Sequence, residues 1–175
     1  MGRKISRREA IPFRSVNRRG TPGYLDNVQR HHILPRQLLS RRCFGTFFDR
    51  VGCTSLGFDD FRANGLLLPS TEGRAIAMGL PLHRGPHRHY NEIVIERVGS
   101  IETAWASKHP SDDGRAAVDA IFRLQLLQLA LRRRLLEERR RIILNRKNPV
   151  GTGFDFTELD TMAEELWRST AKSTA

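Results

Sequence analysis

Two short segments, residues 29–34 and the apolar run 65–68, are each stopped by a proline, Pro35 and Pro69. Proline removes a ladder donor, so both read as short strands that cannot continue. The other apolar patterns have a helical period. The segment GTFFDRVG places Phe44, Phe47, Phe48 and Val51 at helical spacing, a core signal. Residues 36–42 read as a helical turn, and Asp59-Asp60 with Asn64-Gly65 frame a turn before the second strand. Residues 70–82, punctuated by Gly73, Gly79 and Pro81, read as irregular. A helix is predicted from about Pro86 to about Ser107, with Tyr90, Ile93, Val94, Arg97 and Ile101 on one stripe. His109-Pro110-Ser111 breaks it, and Asp112 or Asp113 caps the next. One long pattern then covers 114–148, with Ala117, Ile121, Leu124, Leu127, Leu131, Leu135 and Ile142 as a seam. A short helix over about 157–169, carrying Leu159, Met162, Leu166 and Trp167, completes the chain. The expected class is α+β, mostly helical.

Charge narrows the partners. The net formal charge is +11 over 175 residues. Residues 1–42 hold 11 Lys/Arg against 2 Asp/Glu, and residues 132–149 hold 8 against 2. Residues 43–131, with 9 against 10, are nearly neutral, and residues 150–175, with 2 against 5, are mildly acidic. Two basic blocks flanking a neutral middle favour an anionic partner, nucleic acid above all. Residues 1–28, rich in Arg, Gly and Pro, read as a basic arm or loosely held loop. Cys43 and Cys53 lack the spacing of a zinc knuckle and read as partly buried, reduced thiols. The beginning, MGRKISRREAIPFR, has no apolar core of a secretory signal, and no apolar window is long enough to span a membrane. Localisation is thus expected to be cytoplasmic, or inside a target cell reached through a specialised secretion system.

The chemistry lies in the histidines. Five of six fall in two clusters, His31-His32 and His83, His87, His89. His83 and His87 are spaced i, i+4, so on a helical turn both imidazoles project from one face and can share a divalent ion. His89, two residues further on, falls off that face and is the weaker ligand candidate. Phosphodiester hydrolysis needs an activated water and a neutralised leaving oxygen, which an imidazole base beside a metal supplies. Arg84 and Arg88 bracket the ligand pair and can steady a phosphate by charge-assisted hydrogen bonds.

Three strings carry a family resemblance: QRHHILP, LGFDDFRANGLLLP and LHRGPHRHYNEIV. Together they resemble the AHH branch of the HNH/endonuclease VII superfamily, common in bacterial polymorphic toxins. The resemblance covers roughly residues 24–98. It implies a ββα-metal finger, two short strands and a helix around one ion, and it divides the chain into an arm (1–28), a nuclease domain (29–108) and a helical extension (109–175). By the same resemblance His32 matches the general base, His31, His83 and His87 match the metal ligands, and Asn64 matches the Asn that braces the loop and orients the base. Arg30 stands where the signature has Ala, which implies altered packing or an added phosphate contact.

The activity so implied is a metal-dependent endonuclease of low sequence specificity acting on DNA, with RNA as the alternative substrate. The ion would be Zn, Mg, Mn or Ni. A toxin role would bring an immunity protein as partner. A rival reading is a non-catalytic nucleic-acid-binding protein with a structural metal site. The apolar seam of 114–148 is in addition a candidate for homo-oligomerisation.

Overall fold

A computed structural model of the chain describes residues 9–40, 42–108, 112–137, 142–145 and 147–149, together with 161, 164, 165 and 167. The architecture is α+β, with one two-stranded sheet among several helices. The elements are β1 (Val28–His32), α1 (Gly45–Val51), α2 (Phe61–Asn64), β2 (Gly65–Pro69), α3 (Glu72–Met78), α4 (Arg88–Lys108) and α5 (Asp113–Leu136). Short 3-10 turns at Phe13–Ser15 and Arg36–Leu39 precede and follow β1.

The strands pair antiparallel, with His31 opposite Leu66 and His32 opposite Gly65. The glycine there is a steric need, because a Cβ on Gly65 would lie 2.2 Å from the Phe61 ring. Alternation along β1 sends neighbouring side chains to opposite faces of the sheet. Gln29 and His31 therefore share one face, and Arg30 and His32 the other.

The Phe-rich segment forms α1, and Phe47, Phe48 and Val51 are buried as its spacing predicts. Residues 72–78, expected to be irregular, instead form α3. Thr71 Oγ1 accepts from the Arg74 amide, and Gly79 closes the helix in the left-handed region at φ 59. A cap at each end outweighs the weak propensity of Gly73 inside the first turn. α4 begins at Arg88 rather than Pro86 and ends close to where the sequence puts it.

α5 is capped by Asp112, whose Oδ1 accepts from the Arg115 amide at 2.9 Å. It stops at Leu136 instead of continuing to Asn148, with Glu137 already extended at φ −69, ψ 140. The break lets Ile142 and Leu144, both buried, pack elsewhere than along the helix axis. The buried face of α5 carries Ala116, Ala120, Leu124, Leu127, Leu131 and Leu135. Ala117 and Ile121, expected on the seam, sit at its margin and are only half-buried. This face lies in the same hydrophobic cluster as Phe47, Phe48, Val94 and Trp105. Of the expected seam, Leu124, Leu127, Leu131, Leu135 and Ile142 are thus buried within the chain's own core.

Residues 9–28 of the arm are fastened rather than loose, and residues 1–8 lie outside the described residues. Pro12 bridges to Asp60, the Phe61 amide donates to the Ile11 carbonyl at 2.7 Å, and the Ile11 amide donates to Asp60 Oδ1 at 2.9 Å. Asn17, at φ 47, donates to the Val28 carbonyl at 3.0 Å and accepts from the Leu25 amide at 2.7 Å. Both cysteines are free thiols, with Cys53 half-buried as expected and Cys43 exposed, contrary to expectation. The expected terminal helix lies mostly outside the described residues. Of it, Thr161, Glu164, Glu165 and Trp167 are helical, and the Arg123 guanidinium sits 3.2 Å over the Trp167 ring. Among the described residues no helix is long and apolar enough to cross a membrane.

Candidate active site

His31, His83 and His87 come together. Their ligand nitrogens all lie within 4.8 Å of one another, with ring centroids 5.0 Å (His31–His83), 5.7 Å (His31–His87) and 4.3 Å (His83–His87) apart. The means differs from the expected helical turn. His83 and His87 precede α4 in a loop that turns at Gly85 with φ 75, and His87 closes the loop by accepting the Asn91 amide at 2.9 Å with its carbonyl. The His83 amide donates to the Pro69 carbonyl at 2.7 Å, which ties the loop to the end of β2.

Outer partners set the tautomers. His87 Nδ1 lies 3.1 Å from the Leu144 carbonyl and His83 Nδ1 lies 3.1 Å from Gln29 Oε1. Both partners only accept, so each Nδ1 carries the proton and each Nε2 keeps its lone pair. Nε2 of His31 is buried and, among the described residues, has no hydrogen-bond partner. An unpartnered buried imidazole nitrogen facing two further lone pairs fits a divalent ion. Tyr90 backs the group. It is buried, its ring packs edge-on to His31 at 5.1 Å, and its hydroxyl donates to the Ile33 carbonyl at 2.6 Å.

Desolvation holds this cluster neutral. Burial first, then His83, His87 and His32, lowers the His31 imidazole well below its ordinary value. Burial and then His87 bring His83 from 6.5 to about 4. His87 is lowered by burial, against the opposing pull of the Leu144 carbonyl. In the unfolded chain these groups take up protons near 6.5, while the folded chain resists until much lower pH. The unfolded state therefore binds more protons in between, and stability falls as pH falls. The metal-free protein should lose Tm between pH 6.5 and about 4. The decline should be shallower in His83→Gln, as thermal melts in chelator would show; identical slopes for both proteins would contradict this.

His32 faces the other side of β1. Its ring stacks on Phe13 with centroids 3.7 Å apart and planes 1° from parallel. It opens into a basin of about 660 Å³ lined by Pro12, Phe13, Arg14, Arg30, Arg36 and Asp59. Burial first, then Arg36, lowers its imidazole, while Asp59 opposes the shift. Its Nε2 is buried and has no hydrogen-bond partner among the described residues. Asn64 is buried and braces the backbone just after His32: Oδ1 accepts from the Leu34 amide at 2.7 Å, and Nδ2 donates to the carbonyls of Leu34 and Phe58, each at 3.1 Å. It reaches His32 through this backbone, two residues on, and its side-chain hydrogen bonds go to backbone groups and Gln128 rather than to the imidazole. Arg84, Arg88 and His89 are exposed around the His83–His87 loop, and His89 is not in the histidine trio.

The sequence profile of a nuclease family of the HNH/endonuclease VII superfamily, defined by a conserved AHH motif, matches residues 12–125. The chain belongs to the AHH nuclease family. No curated protein and no solved structure matches it. The match extends past the motif strings at both ends, taking in Phe13 and the first half of α5. The position of the AHH alanine holds Arg30, whose guanidinium donates to the Phe13 carbonyl at 2.9 Å. In this AHH nuclease the non-family residue thus pins the arm that carries Phe13. Sequence reasoning missed Phe13, Gln29 and Leu144 as neighbours of the histidines. Only Gln29 left a signal, since it alternates with His31 on one strand face.

Proposed function

We propose that the protein is a metal-dependent endonuclease that hydrolyses DNA with little sequence preference, RNA being the alternative substrate. The observation carrying this reading is the convergence of three neutral imidazoles, one with an unpartnered buried nitrogen, in a chain of a nuclease family. His31, His83 and His87 would hold one divalent ion, with Zn, Ni, Mn and Mg as candidates and an all-imidazole set favouring the first two. When bound, the ion supplies Lewis-acid stabilisation of the charge developing on the leaving oxygen.

His32 acts as the general base. Its neutral imidazole takes a proton from a water in the basin, and the Phe13 stack holds the ring in place. Asn64 keeps the Ile33–Leu34 backbone, and with it the end of β1, in position. Arg14, Arg30 and Arg36 around the basin bind the phosphate backbone, and a trough of about 530 Å³ carrying Arg14, Arg18, Arg19 and Arg30 continues this surface. Arg84 and Arg88 contact phosphate from the other side. The products are expected to carry 5′-phosphate and 3′-hydroxyl ends. Such phosphate contacts carry no sequence information, so affinity falls with salt. An effector role opposed by an immunity protein belongs to the same proposal and is supported by the family alone.

Purified protein incubated with supercoiled plasmid should nick it in a divalent metal. Chelator should stop the reaction and added metal restore it. Failure to cut both DNA and RNA with Zn, Ni, Mn and Mg would overturn the reading.

A further inference from the structure

Residues 142–148 lie beyond the family match, which ends at residue 125. Of these, 142–145, 147 and 148 run against the loop that carries His83 and His87. Ile142 and Leu144 anchor them in the core at 0% and 5% exposure. Three polar contacts then reach the loop. The Leu144 carbonyl accepts from His87 Nδ1, Asn148 Oδ1 accepts from the Leu82 amide at 3.1 Å, and Asn145 Nδ2 donates to the Arg84 carbonyl. The segment is itself closed as a turn: the Lys147 amide donates to Asn145 Oδ1 at 2.8 Å, and the Asn148 amide to the Asn145 carbonyl at 3.0 Å.

These contacts fall at Leu82 and Arg84, on either side of His83, and at His87 itself. The loop they hold has no helix or strand of its own, and it turns at an exposed glycine. Two imidazoles on such a loop must lose conformational freedom to meet one ion, and a loop already fixed before the ion arrives loses less. The carbonyl on His87 adds a second effect, since it fixes the proton on Nδ1 and leaves Nε2 for the ion.

We propose that residues 142–145 with Lys147 and Asn148 are a positioning strap that sets the metal affinity of His83 and His87, with Asn145 and Asn148 as its positioning residues; this rests on the metal-centre reading above. The extension is then part of the metal centre, acting through the loop and without supplying a ligand.

The test is calorimetric titration of the full-length, metal-stripped protein with Zn²⁺ and with Ni²⁺. Asn145→Ala/Asn148→Ala should weaken the Kd by about tenfold to a hundredfold, the range that outer partners of metal ligands command. Cleavage should return to near the wild-type rate when metal is raised to saturation, with KM for plasmid unchanged. A contrast of single variants separates positioning from folding and from charge. Asn148→Asp keeps an acceptor for the Leu82 amide and should retain affinity, whereas Asn145→Asp loses the donor to Arg84 and should bind metal more weakly. Both add the same charge. Equal affinities in these two single variants, or a double variant that folds and binds like wild type, overturn the strap. Wild type that binds no metal at all overturns the metal centre itself, and the strap with it.

Discussion

His32→Ala is expected to lower kcat for plasmid cleavage by roughly a hundredfold to ten-thousandfold, the usual contribution of a general base. Metal affinity should hardly change, because His32 lies on the face of β1 opposite the trio of His31, His83 and His87. His31→Ala should give the reverse pattern, with metal binding lost first and cleavage lost as a consequence. The pair of variants therefore separates the base from the ligands, which adjacency in sequence cannot do. Losing the stack on Phe13 removes about 0.5–1.5 kcal/mol of aromatic packing, so His32→Ala should remain folded. A variant that cuts within about tenfold of wild type would place the base elsewhere, since general-base effects start near a hundredfold. The two faces carry a geometric demand as well. A phosphodiester served by both sets of residues has to cross the edge of β1, with Arg14, Arg30 and Arg36 on the His32 side.

Asn64→Ala is expected to cost about 3–4 kcal/mol of folding stability, through buried backbone groups left without partners. The side chain is 0% exposed. Its removal strips the Leu34 amide of its acceptor and the Leu34 and Phe58 carbonyls of their donor. It also removes Oδ1, on which Gln128 Nε2 of α5 donates at 3.3 Å. Gln128→Ala should cost less, about 1 kcal/mol, because it deletes only that bond and one to the Leu56 carbonyl. Urea unfolding followed by circular dichroism measures both, with an unchanged m-value as the sign that stability alone has moved. An Asn64→Ala midpoint within the error of wild type would show that the turn after β1 holds without this side chain. Because Asn64 fixes Leu34, two residues beyond His32, the variant should also lose activity at temperatures where it stays folded.

What the sequence determined by itself is what short-range physical chemistry governs. A strand period of two separates His31 from His32 whatever surrounds them, and Pro69 closes the second strand as expected, whereas the first ends at His32, before Ile33, Leu34 and Pro35. The i, i+4 spacing of His83 and His87 announced a shared ligand. The spacing held and the helix did not, since a turn at Gly85 brings the rings to 4.3 Å. α3 was hidden because its signals are two caps around a weak helix former, which an apolar period does not register. The end of α5 at Leu136 was hidden because the seam residues Ile142 and Leu144 continue to look helical. Both are buried in the core beyond the helix end, beside the His83–His87 loop.

Tertiary structure alone decided the surroundings of each histidine. Phe13 reaches His32 through an arm tied to Asp60, and Tyr90 and Leu144 reach Ile33 and His87 across 57 residues of sequence. Contacts of that separation have no local signature. They form because burying Ile33, Tyr90, Ile142 and Leu144 in one core leaves their polar atoms to be satisfied by whatever lies beside them, and beside them lies the His83–His87 loop.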